Sequence, residues 1–351
     1  MNRIMSSLAM SLIVMLSVVI SSCEHRELTD TENVRYVRVY TDEQIRNVTF
    51  GFYDESYERP DFNRPLSLFV AMASAGTGEI VYQGLLRGQG SDARGNYIDG
   101  YVKAGPGEYH MLMYQSGSSI THIRNHGNYH DMQAYTSMVT DRVLTHLSET
   151  SKVIDPERIV EEPEHILAGR CENIVISHSE TIDTLKTSDG DYFSARSIAR
   201  SYYLQLRIKG VQWVSASSAV LSGIAGSSRL CREDGAELND PVNLYFPMRL
   251  VGKETATYDV NSSSSLYATF TTFGKIPDMT SELTLNFEFT KSDGSTQVER
   301  IDITDAFNTP MAKEKQWILL DKEITIVKPL GSGGVDPGVE GWKEEDADLI
   351  M

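Results

Sequence analysis

The chain has 351 residues, with 49 Asp and Glu against 32 Lys and Arg, and a formal charge of -17 at pH 7. A surface this acidic repels phosphate backbones, which demand clustered Lys and Arg, and this argues against nucleic acid as a partner. The apolar share is ordinary for a globular protein, and the length exceeds a typical domain of about 100–150 residues, so two domains are expected.

At the N-terminus, Arg3 precedes an apolar run, Leu8 to Ile20, that ends in Ile20-Ser21-Ser22-Cys23. Positive charge, a short apolar core and small residues at the cut form the order of a secretory signal. The run falls short of the about 20 apolar residues that span a bilayer. A cysteine directly behind the small residues predicts a bacterial lipobox, with residues 1–22 removed and Cys23 acylated. An ordinary signal peptide with Cys23 a bystander, or a true membrane anchor, are the rival readings. With Cys23 committed to lipid, Cys171 and Cys231 remain. In an oxidising compartment they either pair or stay as two buried thiols, and geometry rather than spacing decides.

Residues 23–33 are polar and read as a tether. Val34 to Tyr40 then alternates as a β-rich strand with apolar residues on both faces, and Val48, Phe50 and Phe52 continue at period two. Leu66 to Met72 and Ile80 to Leu86 are further strands, Gln89 to Gly95 reads as a polar loop, and Tyr97 to Val102 is extended. Gly105, Pro106 and Gly107 predict a tight turn that feeds the aromatic strand Tyr109 to Tyr114. Met138 to Leu147 is the best helical candidate of this half. Pro156 to Pro163 is charged and Pro-flanked, and the domain boundary is expected there.

Asn173 to His178 and Leu204 to Ile208 read as strands of the second half. The Ser- and Ala-rich stretch Gln212 to Ser228 has Val220, Leu221 and Ile224 as buried anchors. Leu244 to Phe246 and Leu266 to Phe273 follow. Leu283, Leu285, Phe287 and Phe289 alternate with polar residues as a strand buried on one face, and Val298 to Ile303 pairs with it across Ser292-Asp293-Gly294. Trp317 to Val327 is the last strand, before a Gly-rich acidic tail. Short strands at spacings of about ten residues predict an all-β chain of two antiparallel β-sandwiches, 34–160 and 161–328, followed by a tail at 329–351.

His122, His126 and His130 are spaced by four and would stack on one helix face as a zinc or nickel site. Asn125, Gly127 and Asn128 break that helix, and no Glu is placed as a general base, so three loop histidines are expected. No Ser lies in a Gly-x-Ser-x-Gly elbow, and no phosphate loop or dinucleotide glycine pattern is present. The residues supply no catalytic set and no cofactor site.

Taken together, these features resemble the fimbrillin-like lipoproteins of Bacteroidales, the subunits and accessory proteins of type V pili. The resemblance rests on Ile20-Ser21-Ser22-Cys23 with the charged Glu24-His25-Arg26-Glu27 behind it, and on the Ala104-Gly105-Pro106-Gly107-Glu108-Tyr109 turn. It rests also on Val214 to Gly226 and on the tail Gly331 to Trp342. It implies two transthyretin-like sandwiches, a non-enzymatic lipoprotein exported to the outer membrane, and other pilus subunits as partners. In polymerising pilins of this kind an Arg-directed protease removes the first strand, and a neighbour's strand fills the groove by β-augmentation. Arg35, Arg38 and Arg46 lie in that region, with Arg38 and Arg46 the candidate cuts; the rival reading is that each is an ordinary strand or loop residue. Trp317 to Val327 either is donated to a neighbour or closes its own sandwich. Stalk, tip and anchor roles are all compatible with these residues. The alternative is a surface lipoprotein that binds glycan or protein without polymerising.

Overall fold

The structure, a computed structural model, describes residues 33–41, 65–140, 147, 158–232, 235–236, 241–250, 264–276 and 282–329. The first strands are β1 (Val34–Thr41), β2 (Leu68–Ser74), β3 (Ile80–Leu86), β4 (Gly88–Asp92), β5 (Gly95–Lys103) and β6 (Gly107–Tyr114). Then come β7 (Thr121–Arg124), β8 (Gln133–Thr136), β9 (Ile159–Val160), β10 (Leu167–Ile176), β11 (Asp183–Thr184) and β12 (Phe193–Ser197). The rest are β13 (Arg200–Lys209), β14 (Val214–Ala225), β15 (Ser227–Arg229), β16 (Pro241–Pro247), β17 (Arg249–Leu250), β18 (Ser264–Thr272), β19 (Thr284–Lys291) and β20 (Thr296–Asp302). Two short helices, α1 (Thr304–Phe307) and α2 (Pro310–Lys315), precede β21 (Trp317–Thr325). The chain is all-β, as its alternating pattern predicts.

The first sheet has the order β3-β2-β6-β10-β12-β1-β5-β4, with β11 beside β1. It folds over so that β3 lies against β5. The period of two along each strand sends Val37 and Val39 of β1 inward. There they meet Val70 and Met72, Ile98, Met111 and Met113, and Phe193. The predicted turn after β5 is present. The Tyr109 hydroxyl closes it by donating to the Gly105 carbonyl at 3.1 Å. Where β10 crosses β12 the backbones nearly touch: a Cβ on Gly169 would stand 2.3 Å from the Ser194 carbonyl oxygen.

Two further sheets, β17-β18-β13-β21 and β20-β19-β14-β16-β9, enclose a second core. Leu204, Leu206 and Phe270 of one meet Leu221, Phe246 and Phe287 of the other. Phe246 and Phe270 stack at 4.6 Å. β19 and β20 form the expected hairpin. Leu285, Phe287 and Phe289 face the core as predicted, but Thr284, Asn286 and Glu288 on the other face are buried too. Val139, Leu147 and Ile159 pack on that face beside Val220 and Tyr245.

The expected boundary at Pro156 to Pro163 does not divide the strands. β9 pairs with β16 of the second core, whereas β10 and β12, beyond it, return to the first sheet. β15 then pairs with β8, joining the halves in a three-stranded sheet, β15-β8-β7. A third apolar cluster fills the junction, with Leu112, Tyr129 and Met132 against Ala225, Leu230 and Phe273. The expected linker is itself tied down. Glu162 accepts a 2.7 Å bond from the Thr271 backbone N–H, and Thr121 accepts one from the Glu164 N–H at 2.7 Å.

Gln89 to Gly95 is mainly strand rather than loop, because β4 pairs with β5 from Gly88↔Asp99 to Asp92↔Gly95. Its glycines suit the pairing, since a Cβ on Gly90 would collide with the Tyr97 ring at 2.4 Å. Tyr97 thus lies across a bare backbone, as aromatic residues do over strand glycines. The helical candidate Met138 to Leu147 lies mostly outside the described residues, and Met138 forms a β-bridge with Val160. The signal, the tether up to 32, the strand at 48–52 and the acidic tail from 330 also lie outside them.

No disulfide joins Cys171 and Cys231, and both are free thiols. Cys171 pairs in register with Met111 and packs on the first core, whereas Cys231 lies in the junction cluster with Leu112. The β6–β10 sheet stands between them, so their sulfurs approach from opposite faces. Burial raises both thiol pKa values.

Two measurements check this packing. Gly169→Ala would force a methyl into the β12 backbone and is expected to cost about 1–3 kcal/mol in denaturant unfolding; an unchanged midpoint would contradict the close crossing. Burial pushes the Glu162 carboxyl up to about 7 from 4.5. An acid raised in the folded state holds its proton more tightly there, so stability falls as pH rises between those values. Glu162→Gln is therefore expected to raise the melting temperature more at pH 8 than at pH 5, and an equal shift at both would disprove the burial penalty.

Candidate functional site

The resemblance directs attention to β1, the first strand of the described residues. β1 lies inside the first sheet with partners on both edges. From Val34↔Lys103 to Tyr40↔Tyr97 it runs antiparallel to β5. Its other edge pairs in parallel with β11 at Arg35 and Tyr36, and with β12 from Val39 to Thr41. Arg35 is buried, and its guanidinium donates to the Val34 carbonyl and, at 2.6 Å, to the Ser177 carbonyl beyond β10.

The outward residues of β1 make an aromatic face. The Arg38 guanidinium lies 3.9 Å from the Tyr97 ring centroid and 5.0 Å from that of Tyr192. It donates to the Tyr36 hydroxyl at 3.1 and 3.2 Å and pairs with Asp92 at 3.3 Å. Tyr36 in turn donates to Asp99, and Tyr40 donates to Asp92 at 2.6 Å. The Arg94 guanidinium covers the Tyr40 ring at 4.9 Å and pairs with Asp191 at 3.2 Å. Burial, then the bond to Asp99, pushes the Tyr36 phenol up to about 12. The bond to Asp92 raises Tyr40 as well, while that bond and the Arg94 N–H hold Asp92 below the usual carboxylate range. Arg38 stays charged, its pKa raised chiefly by the Tyr36 hydroxyl. The arrangement clamps β1 to β4 and β5.

Arg38 therefore sits mid-strand inside a stack of rings, while Arg46 and Cys23 lie outside the described residues. The other strand singled out for exchange, β21, pairs in parallel with β13 and buries Ile318, Leu320 and Ile324 in the second core. It closes its own sandwich in this structure. The three spaced histidines do not meet. His122 Nε2 lies 2.8 Å from Ser137 Oγ, His126 Nε2 lies 3.1 Å from the Ile123 carbonyl, and His130 stands edge-on to Tyr129. Among the described residues no cluster of three metal-ligating side chains forms. Sequence reasoning missed the Tyr36–Arg38–Tyr97 stack, because β5 and the glycines of β4 supply most of it and only the register reveals that. The alternation of Tyr36, Arg38 and Tyr40 was the available signal.

Arg38→Ala removes the stacked cation and is expected to cost about 1 kcal/mol of stability. Amide hydrogen exchange in β1 should speed up while β13 and β19 stay protected; uniform exchange across all three would contradict a clamp local to β1.

Comparison with known proteins places these features. Residues 89–246 match a family described as a domain of unknown function, DUF5119. Over 280 residues, 70% of this chain and 76% of the relative, the chain is 21% identical to a Bacteroides ovatus protein named as a candidate fimbrium anchoring subunit, Fim4B. Its fold is similar to that of a candidate adhesin of Bacteroides ovatus, with a TM-score of 0.56 and 18% identity over 88% of this chain and 98% of the other. The fimbrial anchor protein Mfa2 of Porphyromonas gingivalis is also similar, at a TM-score of 0.48 and 11% identity over 84% of this chain and 90% of its own. The chain resembles fimbrial and adhesin-like proteins of Bacteroidales. Among the described residues no helix is long and apolar enough to cross a membrane.

Proposed function

We propose that this protein is a fimbrial anchor subunit: a surface lipoprotein, acylated at Cys23, that keeps its first strand and holds the base of a pilus at the outer membrane. The observation that carries this reading is the seating of β1. A protease takes its substrate as a free extended segment, so cutting at Arg38 requires β1 to leave both neighbours and to expose Val37 and Val39. Sub-global openings of that kind are rare for strands inside a sheet. The seating of β21 supports the same role, since a stalk subunit has to give up one strand and accept another. Partner subunits then join by adding backbone hydrogen bonds at an open sheet edge. Similarity to a relative named for fimbrium anchoring agrees with this reading.

The test is the intact mass and N-terminus of the surface form from a Bacteroidales host, run beside a gel in SDS. The expected product is one species beginning at acylated Cys23, with no SDS-resistant ladder. A product beginning past Arg38 or Arg46 and running as a ladder would instead identify a processed, strand-exchanging stalk subunit. Cys23→Ala is expected to abolish incorporation of labelled palmitate and to move the protein out of the membrane fraction, and retention of both would refute the lipobox.

A further inference from the structure

The first sheet carries an apolar patch on its outer face at the end where the chain enters the fold. Asn33 sits at that end. Its backbone N–H donates to the Ser179 carbonyl at 3.0 Å, and its carbonyl accepts from the Ala104 N–H at 3.1 Å. Register sets the neighbours: Tyr36 lies between Tyr101 of β5 and Thr184 of β11. Leu185 turns into the first core, so alternation sends Thr184 outward, and Ile182 with it, beside Val34. The Tyr36 and Tyr101 rings stand 5.6 Å apart. Tyr101 is 60% exposed and Ile182 48%. Two strands fix which end of the molecule this is. β10 leaves the junction cluster at Ala168 and reaches Ile176, opposite Gly107, while Arg35 donates to the Ser177 carbonyl just beyond it. The patch therefore lies at the end of the first core that points away from the junction.

We propose that this patch docks on the surface of the membrane that holds the lipid anchor, with Tyr101 and Ile182 at the boundary of headgroups and acyl chains. The inference rests on the acylation of Cys23 proposed above. Residues 24–33 separate Cys23 from Val34. At about 3.6 Å per residue, the start of β1 then stays within about 40 Å of the acyl group. Confinement of that kind raises the effective concentration of the lipid surface to about the millimolar range, so a weak contact is enough to be populated. The side chains suit that boundary. Tyrosine presents an apolar ring with a hydroxyl that stays wet, and isoleucine adds a purely apolar body. Charge does not select the occupant, because Lys103 borders the patch opposite Val34 while Asp99 borders it by accepting from the Tyr36 hydroxyl. Exposed apolar side chains and the short connection to Cys23 select it.

The test places a fluorescent probe at the patch in the full chain purified from a Bacteroidales host. Tyr101→Trp and Ile182→Trp are made singly, with Val298→Trp as the control. Val298 is exposed on β20, whose neighbour Gln297 bonds the Thr325 carbonyl at the far end of the second core. Trp213, Trp317 and Trp342 give the same background in every variant and are subtracted. All three positions are exposed, so the variants should keep the wild-type melting temperature. Each protein is reconstituted into vesicles of phosphatidylethanolamine and phosphatidylglycerol with brominated acyl chains, and its intact mass reports the lipid on Cys23. The expected result is a blue-shifted emission at 101 and 182 that bromine quenches at least about twofold more than the control. A lipid on Cys23 with no more quenching at 101 and 182 than at 298 would overturn the docking and leave the anchoring role standing. An unmodified Cys23 would remove the anchoring role and this proposal together. A blue shift at 101 and 182 that appears without vesicles and grows with protein concentration would assign the patch to a second copy of the chain and overturn the lipid assignment.

Discussion

The structure depends most on the two-sided pairing of β1. One face of this strand puts Val37 and Val39 into the first core, and both of its edges are hydrogen-bonded. The parallel contact with β12 links the β1–β5–β4 part of the sheet to the β10–β6–β2–β3 part. Without β1 those two parts would lose their shared neighbour, and β5 and β12 would each expose an unpaired edge. Exposed edges recruit other strands, which is the physical basis of strand exchange and also its hazard. Keeping β1 in place suppresses both.

The outer face of β1 secures what the inner face begins. Arg38 lies in a partly buried site against Tyr97 and Tyr36, where a weakly hydrated guanidinium gains from ring faces and from Asp92 together. Each contact is small, and many surface ion pairs contribute nothing measurable. Their value here is geometric, since they span β1, β5 and β4 at the same height. An Arg-directed protease would find its target side chain already engaged by Tyr36, Tyr97 and Asp92.

The two cores are fused as well as consecutive. The chain crosses between them at β9, β10, β13 and β15, and the junction cluster draws residues from both halves. A junction built of paired strands and shared apolar side chains ties the two cores together more firmly than a flexible linker would.

Much of this was legible in the residues. Alternation at period two located the longer strands such as β1, β2, β3, β5, β13 and β18 to β20, but not β4, β8, β12 or β15; the Gly105-Pro106-Gly107 turn announced β6, and Ser292-Asp293-Gly294 announced the β19–β20 hairpin, because these signals are local and depend on backbone sterics alone. Other features needed tertiary structure. The separation of Cys171 from Cys231, the return of β10 and β12 to the first sheet and the Arg38 stack all involve residues tens to more than a hundred positions apart. Local pattern states which face of a strand is apolar, but it does not choose the strand's neighbour. Sequence by itself therefore determined an acidic, all-β chain and the places of its longer strands. Only the folded chain decided which strand edges are paired and which side chains meet across them, since register and crossover are set by long-range packing.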